Sequence, residues 1–350
     1  MPGRVWLSLD HIRQRNSMSS TVKKVLFRPI GERLVGDYRV IETVAEGGMS
    51  TIFKAEDRSK NLFVALKVLK PDALVNLELH DGIRPGELDS EGAIAIQLDH
   101  PNIIHTYEYG RDKNEYFIVM ELLESFTLKY LIYADSPLVA RQKYDLIAQI
   151  GEGIAYMHQA GFLHRDICPR NVLVDGKGVP KLIDFGLAIP KAAAAKRRDL
   201  RSGTPSYMSP EQVRGQELDE RSDVYSFGIT VYEILTGKLP FRSDVQGSEL
   251  SKHLSGFATP PRRYDPTLPT SIEAIVLKAI ERDAPKRYPT MRQVLAEIRA
   301  AVPDQVLTPA QRAAKGQREV RRFKRLNVEC FLKFKPVGSW SPLSYRTLTR

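Results

Sequence analysis

At 350 residues, with 42% hydrophobic and 27% charged side chains, the chain can bury a full core and has the composition of a water-facing globule rather than a membrane bundle. No apolar run approaches the roughly 20 residues of a membrane span, and the N-terminus MPGRVWLSLDHIRQRNS lacks the apolar core of a signal peptide. Two cysteines, Cys168 and Cys330, exclude a disulfide framework and lack zinc-site spacing, so a reducing cytoplasm is the expected setting. The net charge of +10 is unevenly placed: residues 1–37 hold seven Lys/Arg and 302–350 eleven, whereas the body between them is slightly acidic.

From Asp37 the chain reads as short β-rich runs. YRVIETV, a glycine-containing turn, TIFKAED, a turn at RSKN and LFVALKVL form the pattern of an antiparallel meander. A helical segment over 88–97 and two more strand-like runs, IIHTYEYG and YFIVMELL, follow. Past residue 125 the period becomes helical. Ser136-Pro137 suits an N-cap and first helical position, and Ile147, Ile150, Ile154 and Met157 keep 3/4 spacing until Gly161. Thr290 with Gln293 resembles a capping box ahead of the apolar stripe Met291, Val294, Leu295 and Ile298, and Pro303 breaks that helix. No internal repeat is visible. The expected class is α+β: a β-rich lobe over about 38–124, a mostly helical lobe over about 125–301, and a ligand cleft between them.

The residues that carry chemistry lie at the joints of these elements. Val44-Ala45-Glu46-Gly47-Gly48-Met49-Ser50-Thr51-Ile52 joins two strands, and its glycines would let backbone donors approach phosphate oxygens closely; the same pair also serves an ordinary hairpin turn. Lys67 of VALK lies on a strand among apolar neighbours, where an ammonium needs anions. Glu91 is its candidate carboxylate partner, with Glu87 the alternative behind the Pro-Gly break at 85–86. In FLHRDICPRNVLV, Asp166 can orient a hydroxyl and accept its proton, and Asn171 can hold magnesium through its side-chain oxygen. Leu182-Ile183-Asp184-Phe185-Gly186 adds a second oxygen ligand, Asp184, at the end of an apolar strand. Gly203-Thr204-Pro205-Ser206-Tyr207-Met208-Ser209-Pro210-Glu211 closes the series.

In this order the motifs match the protein-kinase signature set, and the chain resembles the eukaryotic-type (Hanks-type) serine/threonine protein kinases over 38–301. EGGMSTIFKA and GTPSYMSPEQ look like the bacterial members. The resemblance implies an ATP- and Mg2+-dependent (or Mn2+-dependent) transfer to serine and threonine hydroxyls of protein substrates, including autophosphorylation. It assigns the triphosphate to the loop Val44–Ile52 and to Lys67 paired with Glu91. It makes Met120 the gatekeeper, Glu121, Leu122 and Leu123 the hinge, and Ala65 and Leu173 the adenine sandwich. Asp166 becomes the base, and Asn171 and Asp184 the metal ligands. Glu211 is expected to pair with Arg287, and Asp223 to anchor the catalytic loop.

Three features depart from the family pattern. Ala45 replaces the first loop glycine, and the helix carrying Glu91 is expected to start irregularly. Cys168 stands where these kinases place a lysine, and Arg170 is the cation available to replace it. The cysteine itself reads either as a buried filler or as a reactive thiol favoured by nearby cations. The stretch between Gly186 and Ser202 carries five basic residues, one acid and no hydroxyl, which leaves Ser202 and Ser206 as activation phosphosites, with Thr204 structural. A pseudokinase scaffold that binds ATP without efficient transfer, and a small-molecule kinase, are the rival readings. The ends 1–37 and 302–350, with Lys315, Arg318, Arg321, Arg322, Lys324 and Arg325 crowded in the second, suit an acidic partner, an anionic membrane surface, nucleic acid, or docking on the acidic body.

Overall fold

A computed structural model describes residues 33–70, 91–113, 115–194, 202–241, 249–308 and 311–312. Glu87, Cys330, the arm 1–32 and the basic cluster 315–325 lie outside the described residues.

The β-rich half is one antiparallel six-stranded sheet. Its strands β1 (Leu34–Val35), β2 (Tyr38–Glu46), β3 (Ser50–Asp57), β4 (Leu62–Leu69), β5 (Thr106–Asp112) and β6 (Glu115–Glu121) are arranged β1-β2-β3-β4-β6-β5. Side-chain alternation divides the work of β4. Val64, Leu66 and Val68 are buried in a core with Val40, Phe53, Phe117 and Val119, which leaves Ala65 and Lys67 on the opposite face. Helix α1 (Glu91–Ala95) packs directly on β5: a Cβ at Gly92 would fall 2.6 Å from Tyr109 Cβ, so only glycine permits this approach. That close packing sets the position of Glu91.

The second half is mostly helical. β7 (Ser125–Thr127) leads into α2 (Leu128–Tyr133), and α3 (Pro137–Gln159) follows. The Ser136 side chain accepts the Leu138 N–H and Pro137 fills the first helical position, as the sequence predicts. Ile147, Ile150, Ile154 and Met157 are all buried in the lobe core. Short strands β8 (Phe162–Leu163), β9 (Val172–Asp175), β10 (Pro180–Leu182) and β11 (Ile189–Pro190) carry the loops of the cleft, and β9 is flanked by β7 and β10. Then come α4 (Lys191–Ala194), α5 (Pro210–Arg214), α6 (Glu220–Thr236), α7 (Glu249–Ser255), α8 (Thr270–Ala279) and α9 (Met291–Ala301). Residues 222–235 of α6 are all buried, so this helix forms the lobe's centre rather than a surface stripe. In α9 the predicted stripe Met291, Val294, Leu295 and Ile298 is the buried face, and Thr290 caps it by accepting from Gln293 N.

Ordered contacts run past 38–301 at both ends. Leu34 and Val35 pair with Arg39 and Tyr38. Beyond α9, Leu307 N–H donates to Asp145 Oδ1, and Arg312 forms ion pairs with Asp145 at 2.9 Å and Glu152 at 2.8 Å on α3. Among the described residues no helix is long and apolar enough to cross a membrane. The two halves meet where Ile104 N–H donates to Leu182 O and where Lys67 reaches Asp184.

Candidate active site

The β-lobe side of the cleft is built from β2, β3 and β4. Gly47 N–H donates to Ser50 O and Lys70 N–H to Met49 O, both at 2.9 Å, which folds the β2–β3 turn back over the end of β4. Val44, Ala45, Glu46, Gly47, Gly48 and Met49 are exposed, while Ser50 and Ile52 are half-buried. A Cβ at Gly48 would meet nothing within 4 Å, so the turn leaves open room beside its backbone. Below it, Lys67 Nζ lies 2.6 Å from Glu91 Oε1 and 2.9 Å from Asp184 Oδ1. Of the two candidate partners, Glu91 on α1 is the one the described residues bring to Lys67. Burial alone would push the Lys67 ammonium down, but the Glu91 and Asp184 carboxylates more than offset it and hold it above the ordinary lysine range. The Lys67 charge likewise keeps Asp184 below the usual carboxylate range against the effect of burial.

The wall behind this cluster follows from strand register. Ala65 sits opposite Met120, and Val64 opposite Glu121, so β4 runs directly into the junction of the lobes. Met120, Glu121 and Leu123 are half-buried there. Leu173 lies on β9, paired with Thr127 and Lys181. Glu121 Oε1 accepts both from Lys181 Nζ at 2.6 Å and from His105 N–H at 2.8 Å. It thus ties β6 to β10 of the other lobe, a job its place in the hinge motif does not reveal.

The catalytic loop hangs between β8 and β9 and is fixed from below. Buried Asp223 accepts His164 N–H at Oδ2 and Arg165 N–H at Oδ1, each at 2.9 Å, and His158 Nε2 lies 2.7 Å from the same Oδ2. Arg165 has φ of +67°, a conformation a bulky residue adopts only where surrounding bonds enforce it. Burial acts to lower His158, but the hydrogen bond with Asp223 and the Glu220 carboxylate 3.5 Å away outweigh it and raise the imidazole to about 9. The signal for His158 was present in the sequence: it stands four residues after Ile154, a polar residue on an apolar face.

Asp166 is held at both oxygens. Thr204 N–H donates to Oδ1 at 2.7 Å, and Asn171 Nδ2 donates to Oδ2 and to the Asp166 carbonyl, both at 2.8 Å. With its amide nitrogen committed, Asn171 keeps its Oδ1 for another partner. Asp184 has φ of +65°, and the following Phe185 is buried against the His164 ring at 5.4 Å. Among the described residues no three His, Cys, Asp or Glu side chains converge as a metal cage. The Asp184 carboxylate and the Asn171 amide oxygen are hard oxygen donors of the kind divalent cations take.

Cys168 and Arg170 separate in space. The Cys168 thiol is fully buried, 3.7 Å from Thr204 Oγ1, and burial together with the Asp166 charge pushes it up to about 11. The Arg170 charge pulls the other way but is outweighed, so the group acts as a buried thiol rather than a thiolate near neutral pH. Arg170 is exposed, and its Nη2 donates to the same Thr204 Oγ1 at 3.2 Å rather than to Asp166. Thr204, read from sequence as structural, is thus the residue on which base, thiol and guanidinium converge. The segment behind it is pinned by Gln212 Nε2, which donates to Arg165 O, and by the buried pair of Arg287 with Glu211 at 2.7 Å. Ser202 and Ser206 lie within the described part of this segment, but residues 195–201 do not.

A strand lysine bonded to carboxylates from both lobes, above a loop aspartate, is the arrangement of phosphotransferases of the protein-kinase type. The chain belongs to the protein kinase family: the model of the protein kinase domain matches residues 38–298. It is similar to the serine/threonine-protein kinase PrkC of Bacillus subtilis, 37% identical over 78% of this chain and 41% of that protein. It is also similar to the serine/threonine-protein kinase PknB of Mycolicibacterium smegmatis, 32% identical over 81% of this chain and 47% of the relative. The serine/threonine-protein kinase pkn3 of Myxococcus xanthus is 32% identical over 77% of this chain and 51% of its own length. The chain thus spans about half, or less, of the length of these curated relatives.

Proposed function

We propose that the chain is a serine/threonine protein kinase that transfers the γ-phosphoryl group of ATP to hydroxyls of protein substrates, its own chain included. The observation that carries this reading is the doubly held Asp166 carboxylate in the same cleft as the Lys67–Glu91–Asp184 cluster. Both sides of a phosphoryl transfer are provided for, which a scaffold that only binds nucleotide does not require. The relatives PrkC, PknB and pkn3 are serine/threonine-protein kinases, which supports the same class.

In this reading Asp166 orients the acceptor hydroxyl and takes its proton. Lys67, kept charged by its two carboxylates, holds the α- and β-phosphates, and the backbone of Glu46–Ser50 covers the rest. Magnesium, or manganese, held by Asn171 and Asp184 would neutralise charge on the β- and γ-phosphates. Ala65, Met120, Leu123 and Leu173 enclose the adenine. Arg170 supplies the positive charge that a lysine at position 168 provides elsewhere in the family, acting from across Thr204.

The test is incubation with labelled ATP and magnesium, wild type against Asp166→Asn. Label on seryl or threonyl groups in wild type alone is the expected result. Nucleotide binding with no transfer in wild type would remove the proposal and leave the scaffold.

A further inference from the structure

The side of Asp166 that faces away from the nucleotide cluster has a charge pattern of its own. Glu233, on α6, is the carboxylate beneath this floor, and its side chain is only 4% exposed. Both of its oxygens are occupied: one accepts Lys129 Nζ from α2 and the other accepts the hydroxyl of Tyr207. Tyr207 lies three residues after Thr204, and Burial and the Glu233 charge push its phenol up, while Arg170 acts in the opposite sense. Helix α2 packs against the turn Pro169–Asn171, so Lys129 and Arg170 stand on adjoining elements beside the catalytic loop. Arg170 is exposed and the Lys129 side chain is 38% exposed.

The two carboxylates of this network, Asp166 and Glu233, are therefore spent on internal partners, while its two cations keep solvent-facing surface. A basic residue flanking an acceptor hydroxyl would find no free carboxylate in the network. An acidic one would find two partly hydrated cations whose desolvation cost is already reduced.

We propose that Lys129, with Arg170, forms a subsite that selects acceptor serines or threonines flanked by acidic side chains, and that Lys129 masks Glu233 against basic substrates. This inference rests on the kinase activity proposed above. Lys129 is a specificity residue: it touches no atom of the phosphate-facing cluster or of Asp166 in the bonding described here.

The experiment uses the full chain and two sets of peptides with one central serine or threonine, flanked by Asp/Glu or by Lys/Arg. Turnover is measured with ATP and magnesium. In parallel, binding of fluorescent peptides with alanine at the acceptor position is followed by anisotropy, which needs no catalysis. Acidic peptides should exceed basic ones in kcat/KM and in affinity by roughly fivefold or more, the scale of a partly exposed ion pair at each cation. Lys129→Ala should unmask Glu233 and move both ratios toward basic peptides, while kcat on an uncharged peptide stays within about twofold. Lys129→Ala combined with Glu233→Gln should abolish charge preference of either sign. Equal binding of the two sets, or a preference for basic peptides in wild type, overturns the subsite. Absence of turnover with an intact binding preference would sink the activity proposal and leave the subsite standing.

Discussion

The two sides of the cleft are stabilised in opposite ways. On the nucleotide side, Lys67, Glu91 and Asp184 come from a strand, a helix and a loop, and they hold one another through charge at 2.6 and 2.9 Å. On the side proposed for the acceptor, Asp166 meets no cation directly among the described residues; its oxygens are held by the Thr204 backbone and the Asn171 amide. The cations there, Arg170 and Lys129, stand off at Thr204 and Glu233. The difference follows from the chemistry each side must allow. A phosphate site gains from fixed positive charge, whereas a carboxylate that must meet a hydroxyl proton gains from having its direction fixed, which the Thr204 N–H and the Asn171 amide do.

The strongest way to break this comparison is on the nucleotide side. Lys67→Met removes the cation that Glu91 and Asp184 share among the described residues, and it should lower kcat by roughly 10³-fold. ATP titration and single-turnover rates check it; a loss confined to KM would mean that Lys67 only binds and does not stabilise the transferring group. The acceptor side should instead fail through its supports. Arg287 has no exposed side-chain surface and bonds both oxygens of Glu211, so Arg287→Ala leaves a buried carboxylate unpaired. A stability loss of about 3–5 kcal/mol is expected from denaturant unfolding. A loss under ~1 kcal/mol would show the pair to be dispensable.

Arg170 and Cys168 sharpen the same contrast within one loop. Arg170→Ala should reduce kcat by about tenfold to a hundredfold, the range of one lost electrostatic contact to developing charge. Cys168→Ala, corrected for folded fraction, should change it less than about threefold, because a protonated buried thiol offers no charge. Cys168→Lys introduced into Arg170→Ala should restore part of the rate. Equal, small effects of the two alanine variants would show that neither side chain acts on the transferred phosphate.

Much of this was legible because the nucleotide side is written in local patterns. Alternation along VALK places Lys67 opposite the core, and a short apolar strand followed by Asp184 marks the loop. The helix around α3 could be read from Ser136-Pro137 and its isoleucines. What sequence left open depends on long-range packing. The choice between Glu91 and Glu87 turned on how closely α1 approaches Tyr109, which Gly92 permits. The masking of Glu233 joins residues 104 positions apart, and the bond from Thr204 to Asp166 uses a backbone N–H that any residue type would supply. The contact of Arg312, beyond the body's expected end near 301, with Asp145 and Glu152 is of the same kind, because those α3 carboxylates carry no motif.

His158 provides the smallest test, and one of pH rather than of turnover. Its imidazole is raised from the ordinary 6.5 to about 9 by Asp223 and Glu220, against the cost of burial. The folded protein therefore binds a proton that the unfolded chain releases near pH 6.5. The stability this contributes is fully present below that value and is lost as pH climbs toward 9. Wild type should thus lose on the order of 2 kcal/mol between pH 6.5 and 9, and His158→Gln should lose correspondingly less across the same window. Because Asp223 also holds His164 and Arg165, the loss should be accompanied by faster amide exchange at those two residues. Parallel pH slopes for the two proteins would mean that His158 is neutral where it lies, and that the acceptor side rests on Asp223 without a buried cation beneath it.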